Sequence, residues 1–151
     1  MKVVVASDHG GFELKEIVKE HLEKGGYAVT DIGTYNTDSV DYPDYGERAG
    51  EMVASKNVDR GIVICGTGIG ISLAANKVSG IRCALCTDEY MAIMSRKHNN
   101  ANMLALGNRV IGSGLALSIV DAWMTTDFEG GRHGVRVDKL MKIETKPVKE
   151  D

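Results

Sequence analysis

The chain has 151 residues, 43% of them hydrophobic and 26% charged, with a net charge of −3, the balance of one globular domain with a real core. An isoelectric point near 5.8 argues against a generic nucleic-acid binder. No run approaches the ~18 apolar residues of a membrane span, the start MKVVVASDHGG is too short in apolar residues for a signal peptide, and three cysteines without framework spacing read as free thiols, so a soluble cytoplasmic protein is expected.

Lys2–Ser7 is a short apolar run and reads as the first strand. Gly11–Lys24 follows as a helix with Leu14, Ile17, Val18, His21 and Leu22 on one stripe, and Gly25-Gly26 ends it. Tyr27–Ile32 reads as a second strand. A polar loop from Gly33 to Tyr42 leads to a helix near Pro43, since proline suits a first turn. Arg60–Cys65 is the third strand and Gly68–Lys77 a helix. Ile81–Cys86 is the fourth strand and Asp88–His98 a helix. Met103–Leu106 is the fifth strand. Ser113–Thr125 is a helix with Leu115, Ile119, Ala122 and Trp123 on one face. Arg132–Ile143 is the last helix, and Glu144–Asp151 is a charged tail expected to fray.

Continuous apolar strands alternating with amphipathic helices predict a parallel sheet covered on both faces. The expected fold is a Rossmann-like, three-layer α/β/α domain with a five-stranded sheet, residues 1–151 forming one domain. Ligands of such sheets bind beyond the carboxyl ends of the strands. That rule groups Asp8-His9, Tyr42, Cys65–Gly70, Thr87-Asp88 and Gly107-Asn108-Arg109.

Residues 60–76, RGIVICGTGIGISLAAN, carry the strongest signal. A β-branched run ends on a thiol, and a glycine turn then opens a helix. Such a turn aims unpaired N–H groups at one point, an anion site, and N–H dipoles beside a thiol favour the thiolate. A small buried hydrophobe at a strand end is the other reading of Cys65. The turn is not the dinucleotide fingerprint, because Ile71 stands at the last glycine position. Cys83 and Cys86 match C-x-x-C on paper. Residues three apart on a strand face opposite sides, so these read as buried structural thiols. Arg132 and Arg136 are four apart, which puts two guanidinium forks on one helical face, a fit for phosphate or a solvated basic face. Asp8-His9 and His98-Asn99 fit either a site or a helix cap.

The segments ASDHGGFELK, DYPDY, ICGTGIGISLAANK, GIRCALC, SRKHNNANMLALGNRV and EGGRHGVRV together resemble the ribose-5-phosphate isomerase B family, which includes the galactose-6-phosphate isomerase subunits. The resemblance runs from Lys2 to Leu140. It implies an aldose–ketose isomerase of sugar phosphates with no metal or organic cofactor. It also implies a homodimer or dimer of dimers whose sites are shared between subunits. The family's proton-transfer base falls on Cys65 and its ring-opening histidine on His98. Gly66, Thr67, Gly68, Ile69 and Gly70 fall on the turn that binds the developing oxyanion. Asp8, His9, Tyr42, Asn99, Arg109, Arg132 and Arg136 fall on substrate and phosphate contacts.

Ribose 5-phosphate and ribulose 5-phosphate are the expected pair, in a pentose phosphate pathway. A six-carbon aldose 6-phosphate such as allose or galactose 6-phosphate stays open. So does a non-catalytic phosphate-binding module on the same fold. A thiol redox protein would need a resolving thiol near Cys65.

Overall fold

The computed structural model describes residues 1–150. Its strands are β1 (Lys2–Ser7), β2 (Ala28–Asp31), β3 (Arg60–Cys65), β4 (Cys83–Leu85) and β5 (Met103–Gly107). Six helices join or follow them: α1 (Phe12–Lys24), α2 (Tyr42–Ala54), α3 (Ile69–Asn76), α4 (Glu89–Asn99), α5 (Ser113–Thr125) and α6 (Arg132–Lys142). The sheet is entirely parallel, in the order β2-β1-β3-β5-β4. The chain leaves β1 toward β2 on one side and returns past β1 to β3. The topological switch therefore lies between β1 and β3, where an open sheet of this class leaves a crevice.

Period-two alternation decides which side chains meet which helices. Val3 and Val5, Ile62 and Ile64, and Leu104 and Leu106 face one cluster with Leu14, Val18 and Leu22 of α1 and Ile119, Val120 and Trp123 of α5. Val4, Ala6, Val63, Cys65, Met103 and Ala105 face the other, against Ala49 and Val53 of α2 and Ile71 and Ala75 of α3. Each fully buried leucine or isoleucine contributes about 1.5–3 kcal/mol. The same alternation turns Cys65 toward the α2–α3 layer.

Four sequence expectations shift. The stripe of α5 is Ala116, Ile119, Val120 and Trp123, while Leu115 is 38% exposed. On α1, Ile17 is 39% exposed, and His21 leaves the core to meet Asp121 at 2.7 Å. The fourth strand keeps only Cys83–Leu85, because side-chain amides take over its entrance. Asn102 Oδ1 accepts the Arg82 N–H at 2.8 Å, and Asn76 Oδ1 accepts the Cys83 N–H at 2.8 Å. The tail is anchored at Glu144, whose carboxylate accepts from the Ser79 hydroxyl at 2.9 Å and the Gly80 N–H at 3.1 Å. Asp151 lies outside the described residues. Among these, no helix is long and apolar enough to cross a membrane.

Hydrophobic patterning gives no hint that Lys15 is fully buried. Its ammonium reaches Asp31 at 2.6 Å and Glu16 at 2.8 Å, and Lys19 adds a second bond to Asp31 at 3.0 Å. Asp31 also accepts the Gly33 N–H at 2.9 Å. That fixes the loop after β2, where Ser7 N–H donates to the Gly33 carbonyl and Thr34 N–H to the Ser7 carbonyl, both at 2.7 Å. This ion cluster thus holds a loop against the end of β1. Partial burial alone would raise the Asp31 carboxyl, but hydrogen bonds from Lys15, the Gly33 N–H and Lys19 hold it below its ordinary 3.8. A depressed carboxylate stabilises the fold above its unfolded pKa and loses that contribution as pH falls through the folded value. Lys15→Met should therefore destabilise the protein by about 3 kcal/mol at neutral pH and flatten the loss of stability below pH ~4. Chemical denaturation at pH 7 and pH 3 measures both.

Candidate active site

Three loops converge at the carboxyl edge of the sheet. Cys65, the last residue of β3, is 5% exposed, and the Gly68 N–H donates to its Sγ at 3.1 Å. An N–H aimed at sulfur stabilises it when it carries negative charge. The turn that follows needs glycine. Gly68 has φ +78°, and a Cβ there would stand 2.6 Å from Leu85 and 2.8 Å from the backbone of Leu106. A Cβ on Gly107 would stand 2.5 Å from the Thr67 carbonyl oxygen. Thr67 is exposed and its Oγ1 accepts the Ile69 N–H at 3.2 Å, so its hydroxyl proton stays free. Beyond Ile69 the first turn of α3 leaves further N–H groups without helical acceptors.

Around this turn stand the other residues of that edge. Asp8 is 8% exposed and accepts the Gly11 N–H at 3.1 Å, so it does turn the chain into α1. Asn108 Nδ2 donates to the Gly10 carbonyl at 2.9 Å, tying the loop after β5 to the loop after β1. His9 Nδ1 accepts the Val40 N–H at 3.1 Å. In the neutral ring this assigns the proton to Nε2, which is left as a donor. Arg109 lies over Gly66, its Nη1 3.2 Å from where a Cβ would be, and Tyr42 lies flat enough on Gly70 that a Cβ there would stand 2.8 Å from its ring. Thr87 and Asp88 instead serve α4, whose N-cap Asp88 accepts the Met91 N–H at 2.7 Å.

His98 and Asn99 are elsewhere. They form the last turn of α4, which runs back against the strand direction, and so they sit at the amino edge of the sheet. Arg82, just before β4, donates through Nε to the Asn99 carbonyl at 3.0 Å. Asn102, just before β5, accepts the Gly61 N–H at 3.1 Å. From Gly61 to Cys65, β3 rises about 13 Å. Within one chain the thiol and the histidine therefore belong to opposite edges. Arg96 secures the same turn, donating to the Ala101 carbonyl at 2.7 Å; burial, with Arg60 nearby, pulls its guanidinium down to about 10.

At that amino edge a cavity of about 350 Å³ is lined by His98, Asn99, His133, Arg136, Val137 and Leu140. Arg132 stands one turn before Arg136 on α6, exposed and outside this lining. His133 was not singled out by the sequence. It follows Arg132 directly, about 100° around the helix, so it turns inward while the arginines face out. Its ring stacks on His98, with centroids 4.2 Å apart and planes 10° from parallel. Desolvation, then repulsion by His98, Arg132 and Arg136, lowers its pKa below 6.5, and Glu129 offsets part of this.

His98, Glu129 and His133 hold ligand atoms within 4.8 Å of one another. A metal must lie in the plane of each imidazole that binds it, and two parallel stacked planes share no such point. One ring would have to turn before this cluster could chelate. A larger cavity, about 470 Å³, lies beside β4 between Asn76, Arg82, Cys83, Leu140 and Glu144. Its guanidinium and its carboxylate are already committed to backbone partners, so it offers no free charge to a phosphate. Cys83 and Cys86 pack into opposite clusters, and burial raises both thiols, Cys86 to about 11. All three cysteines are free.

A parallel α/β sheet with a thiol and a glycine turn at its carboxyl edge defines a Rossmann-like protein built to hold an anionic ligand. The family model described as Ribose/Galactose Isomerase matches residues 3–140, and the chain belongs to that family. The ribose-5-phosphate isomerase B of Escherichia coli is 48% identical over 143 residues, covering 95% of this chain and 96% of that protein. The solved ribose-5-phosphate isomerase B of Clostridium thermocellum is 59% identical, with a TM-score of 0.95 over 96% of this chain and 98% of that one. The Mycoplasma genitalium enzyme, solved with bound ribulose 5-phosphate, is 40% identical, with a TM-score of 0.92 over 97% of each chain.

Gly68→Ala should lower stability by roughly 2–4 kcal/mol, from the left-handed backbone and the contacts with Leu85 and Leu106. Gly114→Ala, in the first turn of α5 with nothing within 4 Å, should leave stability unchanged or raise it by up to about 1 kcal/mol. Thermal and urea unfolding of the two variants compares them.

Proposed function

We propose that this chain interconverts D-ribose 5-phosphate and D-ribulose 5-phosphate through a cis-enediolate. The observation that carries the reading is the Gly68 N–H aimed at Cys65 Sγ within a glycine turn, in a chain that belongs to the Ribose/Galactose Isomerase family. The relatives described above are five-carbon enzymes, one of them solved with ribulose 5-phosphate bound.

The aldose must lose its C2 proton and regain one at C1, while the proton on O2 passes to O1. The Cys65 thiolate takes the proton and returns it to the neighbouring carbon. As it leaves, charge grows on the sugar oxygens. The Thr67 hydroxyl and the N–H groups of the Gly66–Gly70 turn stabilise that charge without reorganising. His9, with Nε2 left as a donor, and Arg109, over Gly66, are on the same edge to bind the substrate. The phosphate itself does not react. Its binding energy holds C1 and C2 against the thiolate.

Ribose 5-phosphate is mostly a closed furanose. Opening it needs an acid at the ring oxygen and a base at the anomeric hydroxyl, and a histidine exchanges protons near neutral pH. Acid, base and thiolate must all flank one sugar ring. The separation of about 13 Å along β3 supports a site completed by the partner subunit's His98, Asn99, Arg132 and Arg136. Ile69 and Leu73, 54% and 59% exposed on one face of α3 beside the turn, support an apolar contact between two copies of this chain.

Cys65→Ala should lower kcat by at least about 10³-fold while moving KM little, because a base acts mainly in the transition state. Steady-state rates with ribose 5-phosphate, allose 6-phosphate and galactose 6-phosphate test both parts. Near-normal turnover by the variant would refute the base, and faster wild-type turnover of a six-carbon sugar would refute the substrate.

A further inference from the structure

A ring that shuttles protons faces a conflict. Imidazoles are usually fixed in place by a hydrogen bond to one nitrogen, and that nitrogen is then spent. Among the described residues no hydrogen bond fixes the His98 ring. Its plane is set by the flat contact with His133, 4.2 Å between centroids and 10° from parallel. Both nitrogens of His98 stay available. His133 is itself held firmly: it is 5% exposed, its backbone N–H donates to the Gly130 carbonyl at 3.1 Å, and it sits on the first turn of α6, which packs on α4.

We infer that His133 is the positioning residue of the ring-opening step, holding the His98 imidazole by stacking so that neither of its nitrogens is used for anchoring. The inference rests on the reading of His98 as the ring-opening group. It adds a residue that acts through the His98 ring.

The stack works with His133 neutral, since two imidazolium rings at this distance would repel. The surroundings favour that state. His98 of α4 and Arg132 and Arg136 of α6 disfavour a charged His133, and Glu129, 3.5 Å from its Nε2, opposes them. His133 Nε2 has no hydrogen-bond partner despite its burial. A neutral flat ring is thus the property of His133 that this place uses, and phenylalanine shares it.

The test separates ring opening from carbon chemistry. Ribulose 5-phosphate cannot form a furanose, so exchange of its C1 proton with solvent deuterium needs Cys65 but no ring opening. His133→Leu fills the space without a flat π face, and His133→Phe keeps the face. His133→Leu should lower kcat for ribose 5-phosphate roughly tenfold, leave KM within about twofold, and leave deuterium exchange into ribulose 5-phosphate unchanged. His133→Phe should recover most of the lost turnover.

Equal losses in isomerisation and exchange would mean a general structural role and overturn the inference. Equal defects in the leucine and phenylalanine variants would overturn it too. His98→Asn, assayed alongside, distinguishes the two levels. If it impairs ribose 5-phosphate turnover selectively while His133→Leu does not, only the positioning role fails. If His98→Asn spares ribose 5-phosphate turnover, the ring-opening reading fails as well.

Discussion

At the carboxyl end of β3 the backbone of β5 and the turn into α3 come so close that side chains are excluded between them. Gly107 meets the Thr67 carbonyl, and Gly68 meets Leu106 while holding a left-handed backbone. This contact places the Gly68 N–H against Cys65 Sγ and leaves the Thr67 hydroxyl free. The loops after β1 and β5 are then tied across it through Asn108 and Gly10. A side chain at either glycine would open the turn and misdirect its N–H groups, and with them the field around Cys65 Sγ.

The second constraint is topological. A helix that crosses over between parallel strands must run against them. α4 begins at the carboxyl edge with Asp88 and ends at the amino edge with His98, so no local adjustment brings His98 beside Cys65 of the same chain. Lys97 and His98 suit that end, where the helix dipole favours positive charge. The pairing of Arg136 with His98 and Asn99 around one cavity gives this edge a polar cluster of its own. The two edges carry different groups: a thiol and a glycine turn on one, a stacked imidazole pair and a guanidinium on the other.

Much of this could be read from the residues. Strand and helix order followed from the alternation of apolar runs with amphipathic stretches. The place of Cys65 followed from a β-branched run that stops at a glycine turn. The opposite faces of Cys83 and Cys86 followed from period-two geometry. Three things did not follow. Lys15 occupies a core position on α1 because Asp31 and Glu16, remote or unpatterned in sequence, neutralise it. The fourth strand shortens because Asn76 and Asn102 compete for its backbone, and amide side chains carry no strand signal. His133 carries no signal of its own in the sequence, because it lies between two arginines and its contact is with a ring 35 residues away. The carboxyl-edge rule says nothing of His98, Asn99 and Arg136, because their place at the amino edge depends on the direction of α4 and on the packing of α6 against it, which are properties of topology.

The proposed reaction needs the two edges to meet across two chains. The most direct measurement is the activity of a purified mixed dimer. One chain carries Cys65→Ala, and the other carries His98→Asn with Arg136→Ala. If the edges combine across the interface, all three defects fall in one site and the other site is intact. The mixed dimer then regains about half of the wild-type kcat for ribose 5-phosphate, although each parent homodimer is nearly inactive. A mixed dimer as inactive as its parents would mean that each chain builds its own site, and would contradict the account.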